Sequence, residues 1–410
     1  MFDALYSFLD SKNPGEETIR FVKDLVTYAS DFAFFDLLPE AIKTDLKSGS
    51  IDLRKFIHFL IYSTSKHENQ PSGFGYGELP KGLIPFHRYP STIRNPFQEH
   101  ILQSIEIAGP KSTFHFTINE KFKDQIDASI GELKSTLNLP VSYSFSIQNP
   151  ATDAIAFDEN LNPANDENGM ITRPSGHGAL LGNLNTVHSD LIFIRNIDNI
   201  QHQSKATHSI QYRKALGGML IYLRSTIFDV LHELEKGIVL LEKIQHLNDS
   251  FDLRIPIEKF SDTDFLIDFL NRPIRICGMV RNEGQPGGGP FWVNDPMGIP
   301  RRQIVEKSQI TNSPEQLEFL NSSTHFNPVE LVCSTKNFKG DFFNLTKFRN
   351  DDLYFIVKKN HHGKSIQYIE EPGLWNGSMN NWLTLFYEIE SDCFSPVKTI
   401  LDLLQPLHRP

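Results

Sequence analysis

Three short stretches carry residue types suited to handling phosphate. Lys81 sits in Pro80-Lys81-Gly82. Proline restricts the shape of that turn, and an ammonium is a compact point charge that suits a phosphate oxygen. Arg88 and Arg94 add positive charge close by in the chain. His177 stands between Gly176 and Gly178, ahead of a short helical pattern from Ala179 to Asn185. The third stretch is the apolar run Leu191-Ile192-Phe193-Ile194, which leads through Arg195 to Asp198 and Asn199. Ligands of open α/β sheets sit beyond the carboxyl ends of the strands, and Asp198 falls there. A carboxylate so placed can hold a magnesium ion, and the ion can hold phosphates. Ordinary turn chemistry accounts for each stretch taken alone. Together they point to a phosphate site.

Positioning these groups requires a sheet and the helices that cover it. Four large apolar residues in a row, Leu191 to Ile194, predict a strand buried on both faces, as in a parallel sheet flanked by helices. Residues 1–64 read as helical, with Phe21, Leu25 and Tyr28 on one face and Leu53, Phe56, Ile57, Leu60 and Ile61 on another. The loop 65–80 contains Gly73, Gly75 and Gly77, but no apolar strand precedes them, so they do not make a phosphate loop. A helix is expected from Gln98 to Ala108, a strand at Phe114–Ile118, a helix after Asn119, and strands at Val141–Ile147 and Ala154–Phe157. This alternation predicts a mixed, mostly parallel α/β sheet. Residues 207–247 predict a long helical region, which Gly217-Gly218 is expected to break or kink, and a further helix spans 262–271. Strands follow at Ile274–Val280, near Glu330–Cys333 and at Leu353–Lys358. The expected organisation is a helical region 1–64, an α/β core 65–300 with a helical insertion 207–272, and an α+β part 301–410 of the same domain.

Composition bounds the answer. A chain of 410 residues, 39% hydrophobic and 22% charged, can bury a large core. Fifty acidic against 40 basic residues leave a formal net charge of -10, which argues against nucleic acid as the main partner. Cys277, Cys333 and Cys393 are widely spaced and form no CxxC, so a reducing, cytoplasmic setting is expected. The N-terminal residues lack the basic and apolar blocks of a signal peptide, and no membrane contact is expected.

In order, the Pro-Lys-Gly loop, the Gly-His-Gly loop and the strand ending in Asp-Asn resemble the sugar nucleotidyltransferases, especially the eukaryotic-type UDP-sugar pyrophosphorylases. The segments PKGLIPFHRY, RPSGHGALLGNLN, SDLIFIRNIDNI, GMVRNEGQPGGGPFWV and PGLWNGSM resemble a bacterial family, domain of unknown function 4301, over nearly the whole chain. The resemblance implies a nucleotide-diphospho-sugar transferase-like fold. It also implies transfer of a nucleoside monophosphate from a nucleoside triphosphate to a sugar 1-phosphate, with release of pyrophosphate. Lys81 would contact the nucleotide phosphates and Asp198 would bind Mg2+. Gly176, His177, Gly178 and Arg88 would border the nucleotide. Glu283 with Gly287 and Gly288 would hold sugar hydroxyls, Lys339 would meet the sugar phosphate, and Trp375-Asn376 would close the pocket. Asp295 and Asp341 are further candidates for a metal ligand.

One departure matters. The pyrophosphorylase pattern opens with a strand and a Gly-rich phosphate loop, and nothing before Lys81 fits that role. The expectation is a sheet lacking its first strand, in a chain truncated relative to its family. Two other classes fit the same residues. One is a glycosyltransferase using a nucleotide sugar, although Ile197-Asp198-Asn199 offers one carboxylate where an Asp-x-Asp pair is usual. The other is a non-catalytic protein that binds nucleotide or sugar.

Overall fold

A computed structural model describes residues 1–64, 73–167, 169–284, 287–311, 313–361 and 364–410. The loop 65–80 is therefore described only from Gly73. Gln285 and Pro286 of the glycine-rich loop lie outside the described residues.

The N-terminal region is helical, as its periodicity predicts, with helices at Asp3–Asp10, Glu16–Thr27, Glu40–Ser48 and Leu53–Ile61. Asp52 caps the last of these by accepting from the Lys55 amide (3.1 Å), which satisfies a donor that a helix start leaves free. Phe2, Leu5, Val22, Leu25, Phe56 and Leu60 build one core with Val397, Ile400 and Leu403 from the far end of the chain. Tyr28 lies outside that core, 48% exposed.

The main sheet runs in the order Leu383–Glu388, Ile274–Arg281, His325–Ser334, Ile192–Arg195. Only the first pairing is parallel; the other two are antiparallel. The expectation of a mostly parallel sheet is corrected here. An apolar run signals burial but not strand direction, and His325–Ser334 enters reversed between two strands that share a direction. Ile192–Arg195 is also not the doubly buried strand expected. It lies at the end of the sheet order, and all four of its residues are only half-buried. Ile192 and Ile194 face Leu181, Leu184 and Trp382, while Phe193 faces the long helix.

That helix, Thr207–Glu235, runs unbroken through Gly217 and Gly218, against the expected break. Gly217 serves packing instead: a Cβ there would lie 2.9 Å from Cζ of Phe193. Leu216, Leu220, Leu223 and Ile227 cover Ile274, Ile276, Val332 and Leu385 of the sheet. The helical region ends at Glu235, and a second helix, Leu241–Phe251, begins after Gly237 turns the chain at φ 76°. Thr263–Leu270 follows, capped by Asp262.

Thr113–Ile118 and Ser142–Ile147 form a separate parallel pair, connected by the helix Lys123–Leu137. A four-stranded antiparallel sheet, ordered Phe355–His361, Lys364–Glu370, Ala154–Phe157, Thr172–Arg173, holds the loop that follows Glu370. Among the described residues no helix is long and apolar enough to cross a membrane.

Candidate functional site

Lys81 and Asp198 meet. Lys81 opens a single 3-10 turn, Lys81–Leu83, set by Pro80 in extended conformation. Gly82 lets that turn press on the helix Pro96–Ala108, because a Cβ there would lie 2.5 Å from Cε2 of Phe97. The Lys81 ammonium donates to Asp198 Oδ2 at 2.8 Å and to the Val397 carbonyl at 2.7 Å. Lys398 reaches the same Asp198 oxygen at 3.1 Å. Asp198 is nearly buried, with 10% of its side chain exposed. Burial alone would raise its pKa, but the Lys81 and Lys398 ammonium groups outweigh that and hold it below the usual carboxylate value. One carboxylate thus anchors two cations from distant parts of the chain.

The turn that presents Asp198 is braced on every side. His100 of the helix Pro96–Ala108 hydrogen-bonds the Ile197 carbonyl (3.1 Å), and Gln103 donates to Gln201 O (2.7 Å). Arg195 donates to Asn199 O (3.0 Å) and to Glu330 (3.0 Å), and Arg213 from the long helix donates to the same carboxylate (2.7 Å). This Arg-Glu-Arg triad is buried. Burial pushes the Arg195 guanidinium down to about 9, aided by the charge of Arg213. Glu330 stays ionised, because its two arginines overcome the burial that would raise it.

The segment carrying Lys398 is sewn to this turn. Asn199 Oδ1 accepts from the Ser395 amide (2.9 Å), and the Val397 amide donates to Asp198 O (3.0 Å). Further on, His408 and His87 share a hydrogen bond (3.0 Å), and His87 also contacts Glu99 (3.0 Å). Sequence reading missed Lys398. Ser395-Pro396-Val397-Lys398 carries no chemistry-specific pattern, and the contact with Asp198 spans 200 positions. Its only local signal was Pro396, which sits where the chain bridges to Asn199.

His177 belongs to a second cluster. Its ring stacks on Trp375 with centroids 4.0 Å apart, and Nδ1 accepts from the Leu374 amide at 2.8 Å. Burial pushes the imidazole down to about 4, so it is neutral near pH 7. The flanking glycines are required by packing. A Cβ on Gly176 would lie 2.3 Å from a Glu370 oxygen, and one on Gly178 would lie 2.4 Å from Pro372 O. The loop 372–377 is held from below by Arg275, a fully buried residue of the main sheet that donates to Trp375 O (2.6 Å). Asn376 is buried too and donates to Ile304 O (3.0 Å). Trp375 and the Gly-His-Gly loop therefore form one unit.

The remaining candidates have their partners elsewhere. Arg88 donates to the Ser30 and Phe32 carbonyls and pairs with Asp36, fastening its strand to the N-terminal helices. Lys339 pairs with Glu235 at the end of the long helix. Glu283 and Gly287 flank the residues outside the description, and Gly288 lies against Glu306, whose carboxyl burial pushes up. Asp295 accepts from Arg301 (3.0 Å), and Asp341 shares a turn with Asn337.

No curated protein matches the chain. Among solved structures it is similar to UDP-glucose phosphorylase from Trypanosoma brucei, at 14% identity and a TM-score of 0.43 over 79% of this chain. Two variants of UDP-glucose pyrophosphorylase from Leishmania major, both in complex with UDP-glucose, match at 15% and 14% identity with TM-scores of 0.42 and 0.43, again over 79% of this chain. The chain spans about 60% of the length of each of these structures. At the level of sequence, the model of the family described as Domain of unknown function (DUF4301) matches residues 1–409, and the chain belongs to that family.

Proposed function

We propose that the protein transfers a nucleoside monophosphate from a nucleoside triphosphate to a sugar 1-phosphate. The observation that carries this reading is the convergence of Lys81 and Lys398 on one oxygen of Asp198. The shared carboxylate draws the two ammonium groups together, and one negative charge against two leaves the cluster net positive. Such a cluster suits a polyphosphate.

In the proposed reaction a sugar 1-phosphate oxygen attacks the α-phosphorus, the bond to the bridging oxygen breaks, and pyrophosphate leaves with that electron pair. No covalent intermediate with the protein is needed. The chain contributes positioning and charge. Lys81, anchored through both Asp198 and the Val397 carbonyl, neutralises charge on the α-phosphate. Lys398, the more exposed of the pair, receives the outer phosphates. The reading also requires the nucleoside to extend to the second cluster, where neutral His177 lies flat against Trp375. Asp198 Oδ2 is already held by two ammonium groups, so an Mg2+ ion arriving with the phosphates would have to take its other oxygen or displace the more exposed Lys398. The ion would supply further neutralisation of phosphate charge.

The test is 31P NMR of the full chain with magnesium, a panel of nucleoside triphosphates and sugar 1-phosphates. Pyrophosphate together with a new diphosphate-sugar resonance is the expected result. Absence of pyrophosphate with every pair would overturn the reading. A magnesium-dependent thermal shift without turnover would favour a binding protein.

A further inference from the structure

Away from the lysine pair, the first turn of the long helix brings His208 against Glu390 and Asp392, which follow the main-sheet strand Leu383–Glu388. His208 Nδ1 lies 3.0 Å from Asp392 Oδ2 and 3.3 Å from Glu390 Oε2. The three ligand atoms all lie within 4.8 Å of one another. We infer that His208, Glu390 and Asp392 form a site for a divalent transition-metal ion of the zinc class.

Three features carry this. First, one ring nitrogen faces two carboxylates. An imidazole N–H satisfies one acceptor well, whereas an ion between the three atoms would engage all of them. Second, each carboxylate has its other oxygen already occupied. Tyr212 donates to Glu390 Oε1 (3.1 Å), and the Cys393 thiol donates to Asp392 Oδ1 (3.6 Å). The oxygens turned toward His208 meet only its ring, and an ion that displaces the ring proton would take them, while the outer partners orient the carboxylates as metal ligands are oriented. Third, the two segments are braced together. Ser209 donates to Gln201 Oε1 (2.9 Å), while Gln201 Nε2 donates to the Asp392 carbonyl.

Zinc–ligand bonds of about 2.0–2.2 Å in tetrahedral array put ligand atoms about 3.4 Å apart. Two of the three separations, 3.0 and 3.3 Å, need adjustments of only a few tenths of an ångström, and the two carboxylate oxygens, within 4.8 Å of each other, close the triangle. One imidazole and two carboxylates leave a fourth position for water, and this donor set suits zinc over magnesium. A bound ion would fasten the start of the long helix to the segment that runs on to Lys398.

The test uses the full chain, stripped with EDTA and titrated with ZnCl2 by calorimetry. One equivalent is expected to bind, with affinity at least about tenfold weaker in H208A and in D392N. Visible absorption of the Co2+ form gives a second measure, and its bands should be lost in both variants. Circular dichroism confirms that each variant is folded, and E390Q replaces either one that is not. Absence of binding up to about 1 mM zinc, or equal binding by wild type and the variants, overturns the site.

Discussion

The ammonium of Lys398 stands 3.1 Å from Asp198 Oδ2, the oxygen that Lys81 also occupies at 2.8 Å. A carboxylate shared in this way is a hinge between two loops. Removing either lysine subtracts a charge and one tie to the Asp198 turn, while the Val397 and Ser395 amides still hold the second segment in place.

On the proposed transfer reaction, replacement of Lys81 or Lys398 by alanine is expected to lower pyrophosphate release by about 10²–10³-fold, the cost of deleting one well-placed donor to a developing anion. Lys81→Ala should be the more damaging, since Lys81 also fixes the Val397 carbonyl. The measurement is turnover at saturating nucleotide. Wild-type rates in both variants would remove the pair from the site.

Gly82→Ala tests how the lysine turn is seated. The new methyl would meet the Phe97 ring at 2.5 Å, and Phe97 belongs to the core that holds Ile101, Phe114 and Ile130. Overpacking of this kind costs about 1–3 kcal/mol. A melting temperature lowered by several degrees is the expected result, and an unchanged one would show that the ring gives way freely.

Arg213→Met tests the brace under the Asp198 turn. It removes one arm of the buried triad and leaves Glu330 with Arg195 alone. Arg195 still balances the Glu330 charge, so the cost is that of the lost charge-assisted hydrogen bonds from Arg213, roughly 1.5–3 kcal/mol each. A large drop in the urea midpoint is expected, and a neutral outcome would mean that Arg195 suffices.

His177 supplies a pH dependence. Its pKa is about 4 in the folded protein against an ordinary 6.5, because burial disfavours the charged ring. The unfolded chain therefore binds the proton first. The stabilising contribution is complete above about pH 6.5 and is lost as pH falls from there toward 4. His408, pushed down to about 3 by burial, acts in the same direction, so the comparison must be between wild type and His177→Gln. Urea midpoints between pH 4 and 7 should fall more steeply in the wild type, and parallel curves would refute the assignment.

Much of this was legible in the chain itself. Ala154–Phe157 is the strand its composition predicts, and Asp262 and Asn95 cap the helices placed beside them. Lys81 and Asp198 stand out by local chemistry, and the fold brings the two side chains into contact. Lys398 does not stand out, because its role comes from a contact across the whole fold. Strand direction was misjudged for a related reason: alternation and apolarity are properties of one strand, while parallel or antiparallel pairing is a property of two. Gly217 looked like a helix breaker because flexibility is what an isolated glycine advertises. The Phe193 ring that makes use of its bareness lies on another element.

The core built from Phe2, Leu5 and Leu25 is closed by Val397, Ile400 and Leu403. The part of that core which packs on residues 397–403 lacks its cover until the far end of the chain has been made. A chain cut short before those residues would leave apolar side chains of the first helices facing water, a surface prone to aggregation.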